Sequence, residues 1–167
     1  MASKNKTQIV AEKGKQELFI YREFDAPREL VFRAFSQPEI LVQFFAPKGV
    51  TMHFNTHDYC EGGQYRYTHT NAQGKVLCVF SGVIHELTAP ERIVQTSEFE
   101  ALPERGHVVL EVMLFEALSD DRTKLTIHDV CRSVDDRDAM IESGMEGGVV
   151  SIFENLDDLL QTSAITI

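Results

Sequence analysis

Two carboxylates are the clearest candidates for chemistry in this sequence. Asp129 closes an alternating segment in which Leu125 and Ile127 share its face, so its carboxylate continues an apolar face. Glu111 lies in a second apolar segment, His107–Ala117. A carboxylate left unpaired in an apolar pocket costs several kcal/mol, or its pKa rises. If both side chains point into one pocket, they could act as an acid/base pair or anchor a ligand.

The alternation around Glu111 leaves its direction open. One face of the segment carries Val108, Leu110, Val112 and Leu114, and the other carries Val109, Glu111, Met113 and Phe115. Both faces are apolar, so the pattern alone does not say which is buried. In the alternative reading, Glu111 or Asp129 lies at a rim or faces solvent.

Aromatic and methionine side chains form a second group of candidates. Tyr65 and Tyr67 share one face of their segment, and Phe54 shares a face with Met52 on its own. Tyrosine offers apolar area and one hydroxyl, which suits a mostly apolar pocket. Packing in the core is the competing interpretation for each of these residues.

Other kinds of site are disfavoured. His53 and His57 would lie about 13 Å apart on a regular strand, too far to share one ion. The sequence has no CxxC, HExxH or Gly-x-Ser-x-Gly motif, so we expect no metal, no cofactor and no serine nucleophile. The net charge of −10 argues against nucleic-acid binding.

Cellular location is predicted from cysteines and apolar runs. The three cysteines are odd in number and widely spaced, which suits reduced thiols in the cytosol. No apolar run approaches the roughly 20 residues of a membrane-spanning helix, and the N-terminus lacks a signal-peptide core. We therefore expect a cytoplasmic protein with no membrane insertion.

The elements that must position these residues follow from spacing. Glu17–Phe24 reads as a strand, and Pro27 and Pro38 each open a short helix. Six further strands separated by turn residues are predicted at Val50–Tyr59, Gly63–Thr70, Val76–Glu86, Glu91–Phe99, His107–Ala117 and Thr123–Val130. Apolar residues then advance by threes and fours, which indicates one helix over about Asp135–Gln161.

These elements predict an α+β, helix-grip architecture. A curved seven-stranded antiparallel sheet would wrap around the long C-terminal helix, with the two short helices after the first strand. Residues 1–15 read as a flexible lead-in and residues 16–162 as one domain. Gly144, Gly147 and Gly148 lie within the last helix at about 1 kcal/mol each, so a close approach, a kink or room for a ligand must explain them.

The sequence resembles a known family in an ordered series of motifs. Residues 24–32, FDAPRELVF, are similar to the FDAP-x-x-x-VF opening of the Hsp90-ATPase-activator-like branch of the START-like (SRPBCC, or Bet v 1-like) superfamily. Further matches are Pro38-Glu39, Gly62-Gly63, Gly82-Val83, Pro90–Val94 and Gly144-Met145, so the resemblance covers about Glu17 to Leu160.

The resemblance implies a helix-grip fold with an internal cavity that often holds a hydrophobic ligand. It also favours the face with Met113 and Phe115 as the buried one, so Glu111 would point into the cavity. The family usually has tryptophan near Phe44-Phe45 and again where this chain has Val149. This chain has no tryptophan, which implies a cavity of different size and shape.

Three functions are compatible with this interpretation. The first is binding of a small, mostly apolar molecule; its expected contacts are Phe54, Tyr65, Tyr67, Met113, Phe115, Ile127, Met140, Met145 and Val149. The second is a cyclase- or hydrolase-like enzyme that uses Glu111 and Asp129. The third is an Hsp90-type co-chaperone or stress-response protein. It ranks last, because the short polar stretch before the first strand cannot supply the extra N-terminal domain of the eukaryotic co-chaperone. An exposed edge strand could support a homodimer.

Overall fold

The computed structural model describes residues 5–162 and residue 165, and these residues form eight strands and four helices. The order is β1 (Gln8–Val10), β2 (Glu17–Phe24), α1 (Arg28–Ser36), α2 (Pro38–Leu41), β3 (Thr51–His57), β4 (Gln64–Thr70), β5 (Val76–Thr88), β6 (Arg92–Phe99), β7 (Val108–Ser119), β8 (Arg122–Val130), α3 (Val134–Glu142) and α4 (Met145–Leu160). No helix among them is long and apolar enough to cross a membrane.

All strands join one antiparallel sheet in the order β1-β2-β8-β7-β6-β5-β4-β3. The predicted number of seven strands was one too low. The additional strand, β1, lies in the predicted lead-in and pairs with β2, where Ile9 faces Ile20. A strand of three residues is too short for alternation to reveal it.

One face of the sheet carries the core. On β2, Leu18, Ile20 and Phe24 are buried at alternate positions. Helix α1 packs its aromatic residues on the same face, and the Phe32 and Phe115 rings meet edge to face with centroids 5.2 Å apart. The alternation of β2 and the 3.6-residue period of α1 thus bury one shared apolar layer.

Helix α4 closes this layer at its C-terminal half. The Phe153 ring meets Phe24 edge to face at 5.7 Å, and Leu156 is fully buried. Beside them, the Arg22 guanidinium on β2 donates to the Asp157 carboxylate on α4, and both side chains are buried. A buried ion pair of this kind fixes the helix on the sheet, because neither charge can be left without the other.

The prediction of one unbroken C-terminal helix was wrong. The helix ends after Glu142 and a second begins at Met145, because Gly144 takes a left-handed conformation with φ of +83°. A left-handed residue cannot continue a right-handed helix, and glycine adopts it without steric cost. Gly144 therefore supplies the kink, and the apolar spacing continued across it and concealed the break.

Candidate functional site

The two carboxylates predicted from sequence meet on the inner face of the sheet. Glu111 of β7 and Asp129 of β8 are direct cross-strand partners. Met113 and Phe115 are 4% and 1% exposed, whereas Leu110 and Leu114 on the opposite face are 41% and 37% exposed. The structure thus selects the face that the sequence pattern left open, and Glu111 points inward.

Hydrogen bonds tie the pair to the next strand. Gln95 of β6 is the cross-strand partner of Glu111 on its other side and donates Nε2–H to Glu111 Oε1 at 2.7 Å. On its other side, Glu111 lies directly opposite Asp129, so the two carboxyl groups are adjacent on the inner face. Gln95, Glu111 and Asp129 therefore form a polar row across three strands.

One atom of this row is left without a partner. Asp129 is 5% exposed, and its Oδ1 meets no hydrogen-bond donor in the part of the chain that the structure describes. A buried acceptor without a donor costs about 1–3 kcal/mol. Buried polar atoms are normally satisfied, so this exception marks a candidate functional position.

Burial sets the protonation of the pair. Burial raises the pKa of Glu111, and the hydrogen bond from Gln95 lowers it in part. Burial raises the pKa of Asp129 well above the usual range, and the neighbouring Glu111 charge adds to the rise. The pair therefore holds a proton at a pH where two isolated carboxyl groups would both have lost theirs.

Two tyrosines lie close enough to the pair for the charge of Glu111 to act on them. Burial raises the pKa of Tyr59 and Tyr65, and the Glu111 charge raises both further, so both hydroxyls stay protonated. The Tyr65 hydroxyl donates to the Thr96 carbonyl at 2.6 Å. Tyr59 packs its ring edge against Phe54 with centroids 5.9 Å apart.

Gly82 is what lets Tyr65 reach that carbonyl. A Cβ at position 82 would lie 2.6 Å from the Tyr65 hydroxyl oxygen and 1.8 Å from the Thr96 carbonyl oxygen. No side chain fits in that space. The glycine of the Gly82-Val83 motif is therefore required by a close approach across two strands.

The ligand-contact candidates separate into two groups. Five are buried in the core: Tyr65, Tyr67, Met113, Phe115 and Ile127. Four are half-buried although they belong to the inward-facing layer: Phe54, Met140, Met145 and Val149. The second group keeps accessible apolar surface at the inner face.

Gln95 and Tyr59 were not predicted from the sequence. Gln95 shares the inward alternation of β6 with Ile93, which is a signal that could have been used. Tyr59 follows a register shift between Phe54 and Thr56, and this irregularity breaks the alternation that would have placed it.

The glycines of α4 lie in open space. A Cβ added at Gly147 or Gly148 would meet no atom within 4 Å, so neither glycine serves a close approach to the sheet. Gly147 is exposed, but Gly148 is half-buried and lies on the stripe of Met145 and Ile152. Room for another group thus exists beside Gly148.

Two surface depressions lie away from the carboxyl pair. One, of about 330 Å³, surrounds Gly82 and is lined by side chains that include Arg66 and Glu98. The other, of about 400 Å³, lies between the loop at Pro47 and Leu159 near the end of α4. Neither is lined by Glu111 or Asp129.

An antiparallel sheet gripping a C-terminal helical segment, with two short helices after its long first core strand, defines a helix-grip domain of the START-like class. More particularly, the chain belongs to the family described as activator of Hsp90 ATPase homolog 1-like protein, whose family model matches residues 25–161.

Solved structures support the fold. A protein from Arthrobacter aurescens, determined by solution NMR, is 25% identical with a TM-score of 0.81, over 92% of this chain and 90% of that one. A crystal structure from Chromobacterium violaceum is 26% identical with a TM-score of 0.76, over 89% and 99%. The AHSA1 protein of Silicibacter pomeroyi has the same fold at 21% identity and a TM-score of 0.70, over 86% and 96%. No curated protein matches the chain.

Proposed function

We propose that this protein binds a small, mostly apolar molecule between the inner face of the sheet and the segment formed by α3 and α4. The family and fold support a ligand-binding domain in general. The observation that carries the proposal is the half-buried apolar stripe of Met145, Val149 and Ile152 around the open position at Gly148.

The topology supports a position of this site over the carboxyl pair. Strand β8 ends at Val130, one residue after Asp129, and α3 begins at Val134. The C-terminal half of α4 packs at the other end of β8, because Phe153 meets Phe24 and Phe24 pairs with Thr123. Helix α3 and the N-terminal half of α4 therefore cover the end of the sheet that carries Asp129.

The two halves of α4 differ in packing. Phe153 and Leu156 are 1% and 0% exposed, whereas Val149 and Met145, one and two turns before Phe153, keep accessible surface. An inward-facing apolar side chain that keeps accessible surface loses part of the stabilisation that burial would give. A ligand of mostly apolar surface would recover it, with the polar row as its orienting end.

A neutral fluorescent probe tests the proposal. N-phenyl-1-naphthylamine should bind the wild type with a blue shift. Gly148→Leu should weaken binding about tenfold or more, because its side chain enters the pocket. Gly147→Leu is the matched control: it adds the same side chain one position away on the exposed side, and binding should be unchanged. No binding to the wild type, or equal loss in both variants, would reject the proposal.

A second candidate is an enzyme that uses the same pocket. It is favoured by two carboxyl groups that share a proton, since one can donate and the other accept a proton. Once a ligand has been extracted from the protein and identified by mass spectrometry, turnover can be tested directly. Conversion by the wild type and none by Glu111→Gln would establish catalysis, whereas return of the unchanged ligand would leave a carrier.

A co-chaperone role is a third candidate, and it rests on the family description alone. It predicts that a purified Hsp90-type chaperone hydrolyses ATP faster when this protein is added. No change at saturating protein would remove this candidate.

A further inference from the structure

The strongest unexplained feature of the site is the unpartnered Oδ1 of Asp129. It is a buried acceptor on a carboxyl whose other interaction is with Glu111. A hydrogen-bond donor, either an N–H or an O–H group, would satisfy it. Because the inner face at this end is covered by the proposed pocket, the missing donor can come from a ligand.

Three of the protein's own donors at this end of the sheet are engaged elsewhere. Gln95 Nε2 donates to Glu111, and the Tyr65 hydroxyl donates to the Thr96 carbonyl. Arg137 on α3 is the buried cation at this end, and it donates to the carbonyls of Glu12 and Glu17 and to Asp138. None of these three donors reaches Asp129 Oδ1, which leaves this position open to a donor from another molecule.

The pair also lacks a positive partner. The ion pairs found within residues 5–162 include neither Glu111 nor Asp129. Two carboxyl groups that share one proton carry one negative charge. The other titratable groups on which the charge of the pair acts are Tyr59, Tyr65, Tyr67 and Cys131, none of which is a cation.

Charge and aromatic surface favour a cation at this position. A charge-assisted hydrogen bond is roughly twice as strong as one between neutral groups. The half-buried rings of Tyr59 and Phe54 offer faces that attract a cation. The net charge of −10 raises the local concentration of cationic molecules and lowers that of anions.

We propose that the ligand is an amphiphilic amine, with its ammonium group on the Glu111–Asp129 pair and its apolar body along Met145, Val149 and Gly148. This inference rests on the proposed function. It adds the chemical class of the ligand: an apolar chain or ring that ends in a protonated primary or secondary amine. Such a group supplies both the hydrogen that Oδ1 lacks and the charge that the pair lacks.

The test compares three probes with the same tail, namely n-decylamine, n-decanol and n-decanoate, by displacement of N-phenyl-1-naphthylamine at pH 7. The wild type should bind decylamine about tenfold more tightly than decanol, with decanoate weakest. Asp129→Asn should reduce the preference for decylamine over decanol to about twofold or less, each affinity being corrected for the affinity of that variant for the naphthylamine probe. Glu111→Gln is the second variant and should reduce the preference in the same way.

Glu142→Gln is the matched control for overall charge, because Glu142 is exposed on α3. It removes the same charge without touching the pair, so the amine preference should remain. Equal binding of decylamine and decanol by the wild type would overturn the inference and leave the proposed function standing. An amine preference that survives in Asp129→Asn and Glu111→Gln would assign it to surface charge and overturn the inference as well. Failure of the naphthylamine probe to bind the wild type would instead reject the proposed function.

Discussion

Replacing Asp129 by asparagine should change how the stability of this protein depends on pH. In the folded protein, burial raises the pKa of both Glu111 and Asp129. In the unfolded chain the two groups return to their ordinary values of 4.5 and 3.8. Above those values the folded state therefore binds more protons than the unfolded state, and the free energy of unfolding falls as pH rises.

The size of this effect follows from the number of protons. Each extra proton held by the folded state gives a slope of about 1.4 kcal/mol per pH unit. This contribution to the free energy of unfolding is fully present below the ordinary pKa values of the two carboxyl groups. It is lost as pH rises through their raised pKa values in the folded protein. The side chain introduced by Asp129→Asn cannot ionise, and its amide can donate to Glu111. The variant should therefore lose about 1 kcal/mol per pH unit of slope above pH 5 and be more stable than the wild type at pH 7.

The assay is urea unfolding followed by circular dichroism at pH 5, 6, 7 and 8. Glu142→Gln serves as the control for the loss of an exposed carboxylate. A plot of its free energy of unfolding against pH should run parallel to that of the wild type. Equal m-values would show that the variants expose the same surface on unfolding. Histidine titrations cancel in the difference between wild type and variant. If the free energy of unfolding of Asp129→Asn depended on pH with the same slope as that of the wild type, the account of the buried pair would be refuted.

Three further predictions concern the scaffold. Asp157→Ala should lower the free energy of unfolding in urea by about 3–5 kcal/mol, because it leaves the buried Arg22 charge without its carboxylate partner. A loss below about 1 kcal/mol would contradict the buried ion pair. Gly82→Ala should destabilise by more than about 3 kcal/mol, or abolish soluble expression, because its Cβ collides with the Thr96 carbonyl; wild-type stability would disprove the close approach. Burial lowers the pKa of His69 in spite of its hydrogen bond to the Phe45 carbonyl, so its NMR titration midpoint should lie below 6.5. The stability that the neutral His69 contributes is present above pH 6.5 and is lost as pH falls through its lowered pKa. A titration midpoint at or above 6.5 would contradict its burial.

The strands could be predicted closely because alternation and turn residues act locally. Strands β3 to β8 begin and end within two residues of the predicted bounds. Strand β7 shows the limit of the method. Its outward face carries Leu110 and Leu114, which are as apolar as the buried set, so burial could be decided only from the assembled sheet.

The candidate site was predictable in part. The pairing of Glu111 with Asp129 followed once the inward face of β7 was known, because both lie at matching alternate positions. The unpartnered oxygen of Asp129 was not predictable, since it depends on where Gln95 and Tyr65 direct their hydrogens. The break at Gly144 depends on a backbone angle that spacing does not encode.

If the proposed amine binds there, the unsatisfied oxygen of Asp129 would couple the lifetime of this protein to its supply of ligand. Without a donor, the folded state carries the cost of that atom, and a bound amine would remove it. Binding at 100 times Kd would add about 2.7 kcal/mol to the free energy of unfolding. A difference of that size changes the fraction of molecules open to proteases by about a hundredfold. Cells short of the ligand would then hold less of the protein, and its abundance would report how much ligand is present.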